Sequence, residues 1–244
     1  MNARSARRLT LDLGNRSAKL RLFEGARLAG AWRRFAAGPW PVIEPPDELL
    51  GVRVPGRDVR DLPEGWPAVR WVGIDFPLPG EVLYDRPEEM GADRRLTAWA
   101  AGRFFGPCLV LDCGTAVTLT WADGEDRIAG LAIAPGLRTL AEGLAAAAPA
   151  LARHLEPDAE PGPGLPRGSR DNLAVGLRVG YAGMLRALVA DAAARLGLEP
   201  ALCLTGSDAA LAMAALDRGR LVPDLVHHAL LLCAGVETCP GSSS

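Results

Sequence analysis

The sequence lacks several features that would place it in a specialised class of protein. Its 244 residues carry a formal net charge of −2, so it has no basic excess with which to bind nucleic acid phosphates. The five cysteines show neither C-x-x-C spacing nor a paired framework, which argues against a disulfide scaffold. The three histidines, His154, His227 and His228, lack the spacing of metal ligands. We therefore expect no nucleic acid partner and no metal site built from histidine or cysteine.

Long hydrophobic runs are also scarce. Residues 137–155 are taken as the most apolar stretch, yet it is interrupted by Arg138, Glu142, Arg153 and His154. We therefore expect no membrane-spanning segment and no membrane partner. The chain begins with a predicted strand, and we expect no signal peptide. With 49% hydrophobic and 23% charged residues, the composition is typical of a globular protein. We expect a cytoplasmic location.

Apolar runs of strand length precede helical patterns in both halves of the chain, which predicts an α/β fold with mixed sheets flanked by helices. Loops are expected where proline and glycine accumulate, and Pro149 is expected to break one helix. The predicted strands are 9–11, 18–23, 29–35, 69–74, 81–84, 128–133 and 201–204, with two more inside 107–121. The predicted helices are 88–105, 137–155, 170–196 and a C-terminal group, and the predicted loops are 39–46, 54–67 and 156–166.

A polar turn recurs between pairs of apolar runs. Asp12-Leu13-Gly14-Asn15 ends the first run, and Asp112-Cys113-Gly114-Thr115 ends another run 100 positions later. Glycine lets backbone amides approach a phosphate, and an aspartate there is suited to holding Mg²⁺. Either turn alone is explained as well by an ordinary D-x-G turn. Their recurrence at matching places favours a duplicated domain and a nucleotide phosphate site.

Short motifs, in order along the chain, resemble those of type III pantothenate kinases. "DLGNRSAK" (12–19) is similar to the family's first phosphate motif, and "DCGTAVT" (112–118) to its second. Between them, "YDRPEEMGADR" (84–94) resembles the pantothenate-site segment, which carries G-A-D-R. Weaker similarities follow in "GLAIAPG" (130–136), "SRDNLAVGLRVG" (169–180) and "LTGSDA" (204–209).

The resemblance implies the fold of the acetate kinase, hexokinase and actin superfamily, with two ribonuclease-H-like halves of the actin-like ATPase type. Residues 1–105 would form the N-terminal half, with the first phosphate motif and the pantothenate-site segment. Residues 106–244 would form the C-terminal half, with the second phosphate motif. The resemblance also implies a homodimer, ATP and pantothenate as substrates, and a requirement for Mg²⁺ and a monovalent cation, K⁺ or NH4⁺.

Matching positions suggest a role for individual residues. Asp93 would be the general base that accepts the proton of the pantothenate hydroxyl, although a carboxylate that only complements a helix dipole is the simpler explanation of that residue by itself. Asp112 would bind the monovalent cation. The residues implied for ATP are Asp12, Leu13, Gly14, Asn15, Arg16, Ser17, Ala18, Lys19 and Thr115. The residues implied for pantothenate are Tyr84, Gly91, Ala92, Asp93, Arg94 and Ser169.

Some of these assignments have plain structural alternatives. Lys19 also fits the exposed face of an alternating strand, and Tyr84 also fits a strand end. Arg95 is expected to point to solvent. The sequence departs from the family pattern at Arg16, which replaces a small hydroxyl residue, at Leu131, which replaces a glycine, and at Ser169, which replaces a threonine.

Two other functions remain open. The chain could be a non-catalytic accessory relative of the same fold, or a kinase of the fold with another substrate. Retention of Asp12, Asp93, Arg94 and Asp112 together favours an enzyme, and G-A-D-R with Tyr84 favours pantothenate. The predicted reaction is ATP-dependent phosphorylation of pantothenate to 4'-phosphopantothenate, the first step of coenzyme A biosynthesis.

Overall fold

The computed structural model describes residues 5–35 and 38–240. The strands are β1 (Arg7–Leu13), β2 (Ser17–Glu24), β3 (Arg27–Phe35), β4 (Glu48–Arg53), β5 (Val69–Trp71), β6 (Glu81–Val82), β7 (Cys108–Cys113), β8 (Ala116–Ala122), β9 (Arg127–Pro135), β10 (Ala201–Thr205) and β11 (Arg220–Leu221). The helices are α1 (Ala92–Phe105), α2 (Leu137–Ala147), α3 (Pro149–Ala152), α4 (Ser169–Leu196), α5 (Ala209–Leu216) and α6 (Leu225–Cys233), and a 3₁₀ turn covers Pro87–Glu89.

The chain forms two compact units. The first comprises the described parts of Met1–Cys108, Trp121–Ala129 and Asp224–Ser244, and the second comprises Leu109–Thr120 and Gly130–Pro223. Compact units need not coincide with ribonuclease-H-like halves, because one unit can borrow segments from the other half. The boundary between residues 105 and 106 therefore stays a prediction.

The first sheet has the strand order β3-β2-β1-β4-β5. The hairpin of β1 and β2 is antiparallel, β3 pairs antiparallel to β2, and β4 and β5 add in parallel. This order and direction are those of a ribonuclease-H-like half. Strand alternation sends Leu9, Leu11 and Leu20 into the apolar core of one face. Thr10, Asp12 and Lys19 therefore lie on the other face, where α6 contacts β1 and α1 contacts β4.

The second sheet repeats this order. Its strands lie as β11-β10-β7-β8-β9-β6, so β9-β8-β7-β10-β11 corresponds to β3-β2-β1-β4-β5. In the second unit, α5 packs on β10 and α4 packs on both α2 and α5. The predicted class, α/β with two mixed sheets flanked by helices, is confirmed. The matching strand orders support the duplication inferred from the two turns.

Helix boundaries follow local signals. The predicted helix 88–105 begins only at Ala92, because Gly91 is extended with φ −53° and ψ 140°. The break expected at Pro149 is confirmed: Ala148 leaves the helical region with ψ 74°, and Pro149 occupies the first turn of α3. Strand β4 was missed. Its residues Leu49–Val52 are all buried, so they show no alternation that distinguishes a strand.

Helix α4 corrects one point about hydrophobic runs. Among the described residues, Ser169–Leu196 is long and apolar enough to cross a membrane, judged by length and composition alone. The helix itself was predicted, over 170–196, but residues 137–155 were taken as the most apolar stretch, so the apolar character of α4 was missed. Core helices of globular proteins pass the same test, so the finding is weak evidence for a membrane segment.

Candidate active site

The first polar turn is closed by a backbone hydrogen bond from Gly14 N–H to the Ser17 carbonyl, at 3.1 Å. The register of the hairpin places Asp12 directly opposite Lys19. Lys19 Nζ donates to Asp12 Oδ2 at 3.1 Å, and the two side chains are 29% and 13% exposed. Lys19, the one lysine in the sequence, therefore lies half-buried in an ion pair rather than on a fully exposed strand face.

The other residues of this turn differ in what they can offer a nucleotide. Leu13 and Ala18 are buried in the core on the opposite face of the sheet, so only their backbone atoms are suited to contact a ligand. Asn15 is exposed at the tip, and Gly14, Arg16 and Ser17 are partly exposed. The turn thus presents backbone amides and polar side chains together, as a phosphate site requires.

Asp93 lies in the first turn of α1. The Arg94 N–H donates to Asp93 Oδ1 at 2.9 Å, and Thr97 Oγ1 donates to the Asp93 carbonyl at 2.6 Å. A Cβ on Gly91 would lie 2.7 Å from Asp93 Oδ1. A side chain at position 91 would therefore force the Asp93 carboxyl group to shift, although the backbone angles of Gly91 are open to any residue. The carboxyl group occupies the place that a side chain at position 91 would take.

Burial raises the pKa of the Asp93 carboxyl above its ordinary value, and the negative charge of Asp12 raises it further. The Arg94 N–H and the positive charge of Lys19 act in the opposite direction. Asp12, Lys19 and Asp93 thus interact within one unit, although about 80 residues separate the hairpin from the helix. A carboxylate with a raised pKa is a stronger proton acceptor, which suits a general base.

Tyr84 and Arg94 form a second pair beside Asp93. Arg94 Nη1 donates to Tyr84 Oη at 3.4 Å, and both side chains are partly exposed. The planar guanidinium of Arg94 can bind a carboxylate with two parallel hydrogen bonds, and the tyrosine hydroxyl can add a third. Gly91, Ala92, Asp93 and Arg94, all predicted from one motif, therefore lie together with Tyr84 at the start of α1.

Arg95 does not point to solvent, as the sequence analysis expected. Its side chain is half-buried and donates to the carbonyl groups of Leu78, Pro79 and Gly80. The expectation was wrong because helical position alone cannot reveal a loop from elsewhere in the chain that covers that face.

The second polar turn belongs to the second unit. Gly114 N–H donates to the Ala116 carbonyl at 3.0 Å. The Thr115 carbonyl accepts hydrogen bonds from Gly136 N–H at 3.0 Å and from Thr139 Oγ1 at 2.6 Å. A Cβ on Gly136 would overlap the Gly114 carbonyl oxygen. The glycine that ends "GLAIAPG" is thus required for the start of α2 to pack on this turn.

The T-G turn at residues 205–206 also packs on the second polar turn. Gly206 has φ +92°, and a Cβ there would overlap Asp112 Oδ1 and lie 2.5 Å from the Cys113 carbonyl oxygen. Asp208 N–H donates to that carbonyl at 2.9 Å. Glycine at position 206 thus lets the turn pack closely against two hard oxygen donors, a carboxylate and a carbonyl. These are the donor types that Mg²⁺ and K⁺ prefer, so Asp112 has the chemistry of a cation ligand.

Two residues near this turn were missed by the sequence analysis. Tyr181, buried on α4, interacts with the Cys113 thiol, and burial raises the pKa of both groups, that of Cys113 to about 12. The charges of Asp112 and Asp208 raise both pKa values further. No sequence motif marks Tyr181 or Asp208 as neighbours of Asp112, because they lie on separate elements. The neutral Cys113 thiol is unsuited to binding a metal ion.

Two other residues named from the sequence belong to the second unit. Ser169 is exposed at the start of α4 in the second unit, whereas the other predicted pantothenate contacts belong to the first unit. Leu131 is partly buried within β9. Among the residues that the structure describes, no group of three or more histidine, cysteine, aspartate or glutamate side chains is placed to hold a metal ion.

The matching family model and three sequence relatives carry one family name. Residues 64–191 match the family model of the type III pantothenate kinases. The type III pantothenate kinase of Gluconobacter oxydans strain 621H is 33% identical, with 95% of this chain and 94% of that protein covered. The one from Synechococcus sp. strain JA-3-3Ab is 35% identical, with 86% and 84% covered. For the one from Akkermansia muciniphila the identity is 33%, and the match covers 68% of this chain but only 65% of the relative.

A solved structure supports the fold alone. A Campylobacter jejuni protein assigned to a Baf family of transcriptional activators superposes with a TM-score of 0.58, covering 93% of this chain and 97% of that chain. The two sequences are 14% identical, so the similarity concerns the arrangement of the backbone and not the activity.

Proposed function

Since this chain belongs to the type III pantothenate kinase family and is therefore a kinase, we propose that it transfers the γ-phosphoryl group of ATP to the hydroxyl of pantothenate. The products are ADP and 4'-phosphopantothenate, and the reaction opens coenzyme A biosynthesis. The observation that carries the proposal is the Asp93 carboxyl group. It is partly buried, its pKa is raised, and Gly91 leaves the space that it occupies.

Asp93 acts as the general base. Its carboxylate accepts the hydroxyl proton of pantothenate while that oxygen forms a bond to the γ-phosphorus and the bond to ADP breaks. Arg94 and Tyr84 bind the pantothenate carboxylate, because a guanidinium and a phenol hydroxyl 3.4 Å apart present donors to one anion. Gly91 and Ala92 shape the backbone around Asp93, and Ser169 supplies a hydroxyl to the substrate.

The two polar turns hold ATP. In the first turn the contacts come from residues 12–19, with Lys19 acting as a point charge on the phosphates. In the second turn Thr115 adds a contact. A bound Mg²⁺ neutralises charge on the transferring phosphoryl group. Asp112, with the Cys113 carbonyl, binds a K⁺ or NH4⁺ ion that offsets repulsion between this carboxylate and the nucleotide.

We also propose a cytoplasmic homodimer without a nucleic acid or membrane partner. Helix α4 supports this: Val179 is 64% exposed, and nothing lies within 4 Å of where a Cβ on Gly176 or Gly180 would sit. An apolar helix face of this kind is suited to contact a second copy of the chain. That contact would also account for the hydropathy of α4 without a membrane.

The test is a turnover assay with purified protein, ATP, Mg²⁺ and K⁺, in which ADP release is followed and phosphopantothenate is identified by mass. We expect product only when pantothenate is present. Asp93→Asn should lower turnover by about a hundredfold or more. Asp85→Asn, which changes an exposed aspartate in the same motif, is the matched control and should keep normal turnover. Absence of product from wild type would favour the accessory protein, and turnover of another alcohol would favour a different substrate.

A further inference from the structure

We propose that Arg95 is a positioning residue for the pantothenate site: its guanidinium fastens the 78–80 loop to the first turn of α1 and so holds Tyr84 beside Arg94. The inference rests on the proposed function, because it concerns the residues assigned to pantothenate. Nothing in the resemblance to the family assigns Arg95 a role, since the shared motif ends at Arg94.

The hydrogen bonds of Arg95 converge on three consecutive carbonyl groups. Nε donates to the Pro79 carbonyl at 2.9 Å, and Nη2 donates to the Leu78 carbonyl at 3.1 Å and to the Gly80 carbonyl. A planar guanidinium has five donors in a fixed fork, which an ammonium group cannot reproduce. The Arg95 N–H also donates to the Gly91 carbonyl at 3.0 Å. One residue therefore connects the loop to the glycine that makes room for Asp93.

The segment that follows this loop carries Tyr84 and pairs with β9, beginning with Glu81 N–H, which donates to the Asp126 carbonyl at 2.7 Å. Strand β6 is only two residues long, and its pairing with β9 continues through Leu83 N–H, which donates to the Ile128 carbonyl at 2.8 Å. At its start, Gly80 adopts φ +81° and passes close to the side chains of Ile128 and of Trp99 on α1. These bonds fix the segment against β9, whereas the bonds of Arg95 fix it against α1. The position of Tyr84 relative to Arg94 depends on the second attachment.

The contact that depends on this attachment is easily lost. Arg94 Nη1 and Tyr84 Oη are 3.4 Å apart, near the outer limit of a hydrogen bond. A small shift of the 78–84 segment would separate them, while Asp93, on the helix itself, would stay in place. Loss of Arg95 should therefore weaken pantothenate binding more than it slows the chemical step.

Arg95→Ala tests the proposal, with Arg103→Ala as the matched control. Arg103 lies on the same helix, is 57% exposed, and faces Asp126 at 3.7 Å. We expect Arg95→Ala to raise the KM for pantothenate by about tenfold, with the KM for ATP unchanged and a much smaller change in kcat. Arg103→Ala should change none of these. Arg95→Lys keeps the positive charge but loses the planar set of donors, so its KM for pantothenate should be intermediate. This variant replaces Arg95→Ala in the test if the alanine variant does not fold.

A double-mutant cycle separates positioning from general stability. If Arg95 acts through Tyr84, then Tyr84→Phe combined with the Arg95 variant should raise the KM for pantothenate no more than the larger single change. Multiplicative effects would overturn the proposal, as would equal changes in both KM values together with a lowered Tm. If wild type turns over pantothenate and Arg95→Ala has the same KM for pantothenate, only the positioning role of Arg95 is overturned. A wild type without that turnover overturns the proposed function, and the positioning role with it.

Discussion

Gly91→Ala removes no functional group from the protein, yet it should strongly lower kcat. The added Cβ would lie 2.7 Å from Asp93 Oδ1, at least 0.5 Å inside ordinary contact, so the carboxyl group must turn away. In turning it loses its hydrogen bond from Arg94 N–H, which is 2.9 Å long. The backbone does not resist the change, because φ −53° and ψ 140° are open to alanine. The side chain of Asp93 is therefore the part that moves.

The expected effects on stability and on turnover are of different size. Replacing glycine by alanine at a helix N-cap, with loss of one hydrogen bond to a charged group, should lower the free energy of unfolding by about 1–3 kcal/mol. A base displaced by about 1 Å should lower kcat on the order of a hundredfold. Both values are measurable, by thermal unfolding of the apo protein and by steady-state turnover of pantothenate at saturating ATP.

Gly143→Ala is the control for the substitution itself. Gly143 lies inside α2, and nothing is within 4 Å of where its Cβ would sit. The change should raise the free energy of unfolding by about 0.5–1 kcal/mol and leave kcat unaltered. If Gly91→Ala retained wild-type turnover, the Asp93 carboxyl group would not need its present position, and its assignment as general base would have to be abandoned.

Three further predictions concern charge. The pKa of Asp93 is raised, so the folded protein binds a proton on this carboxyl group more tightly than the unfolded chain does. The protonated carboxyl group therefore stabilises the folded state at low pH, and this stabilisation is lost as pH rises from 3.8 through the folded pKa. Asp93→Asn should thus raise Tm near neutral pH, although it lowers turnover about a hundredfold or more, and the gain in Tm should shrink at acid pH. A lowered Tm at neutral pH would contradict the expected sign. Turnover of wild type should rise steeply with K⁺ concentration and only slightly with Na⁺. Asp112→Asn should weaken both this K⁺ response and ATP binding, with little change in the Tm of the apo protein. Equal wild-type activity in K⁺, Na⁺ and Tris buffers would reject the cation site. Lys19→Gln should raise the KM for ATP and shift the acid limb of turnover to higher pH, because Asp93 loses the positive charge that lowers its pKa; an unshifted limb would show that the pair does not act on the base.

Features governed by neighbouring residues were predicted well. The alternation of residues 18–23 around a polar turn predicted the β1–β2 hairpin, and Pro149 predicted the break between α2 and α3. Both depend on side-chain periodicity and backbone sterics within a few residues. Strand β4 escaped because a parallel central strand is buried on both faces, which removes the alternation.

The sequence by itself determined which chemical groups this protein carries and which short turns present them. Asp12 and Lys19 face each other because hairpin register is a local property. Only the tertiary structure decided which groups act together. The half-buried Arg95, the influence of Asp12 on the pKa of Asp93, and the fit of Gly206 over Asp112 all join residues from separate elements. Sequence spacing cannot encode such neighbours, because they meet only when a helix or turn packs on a part of the fold that is distant in sequence.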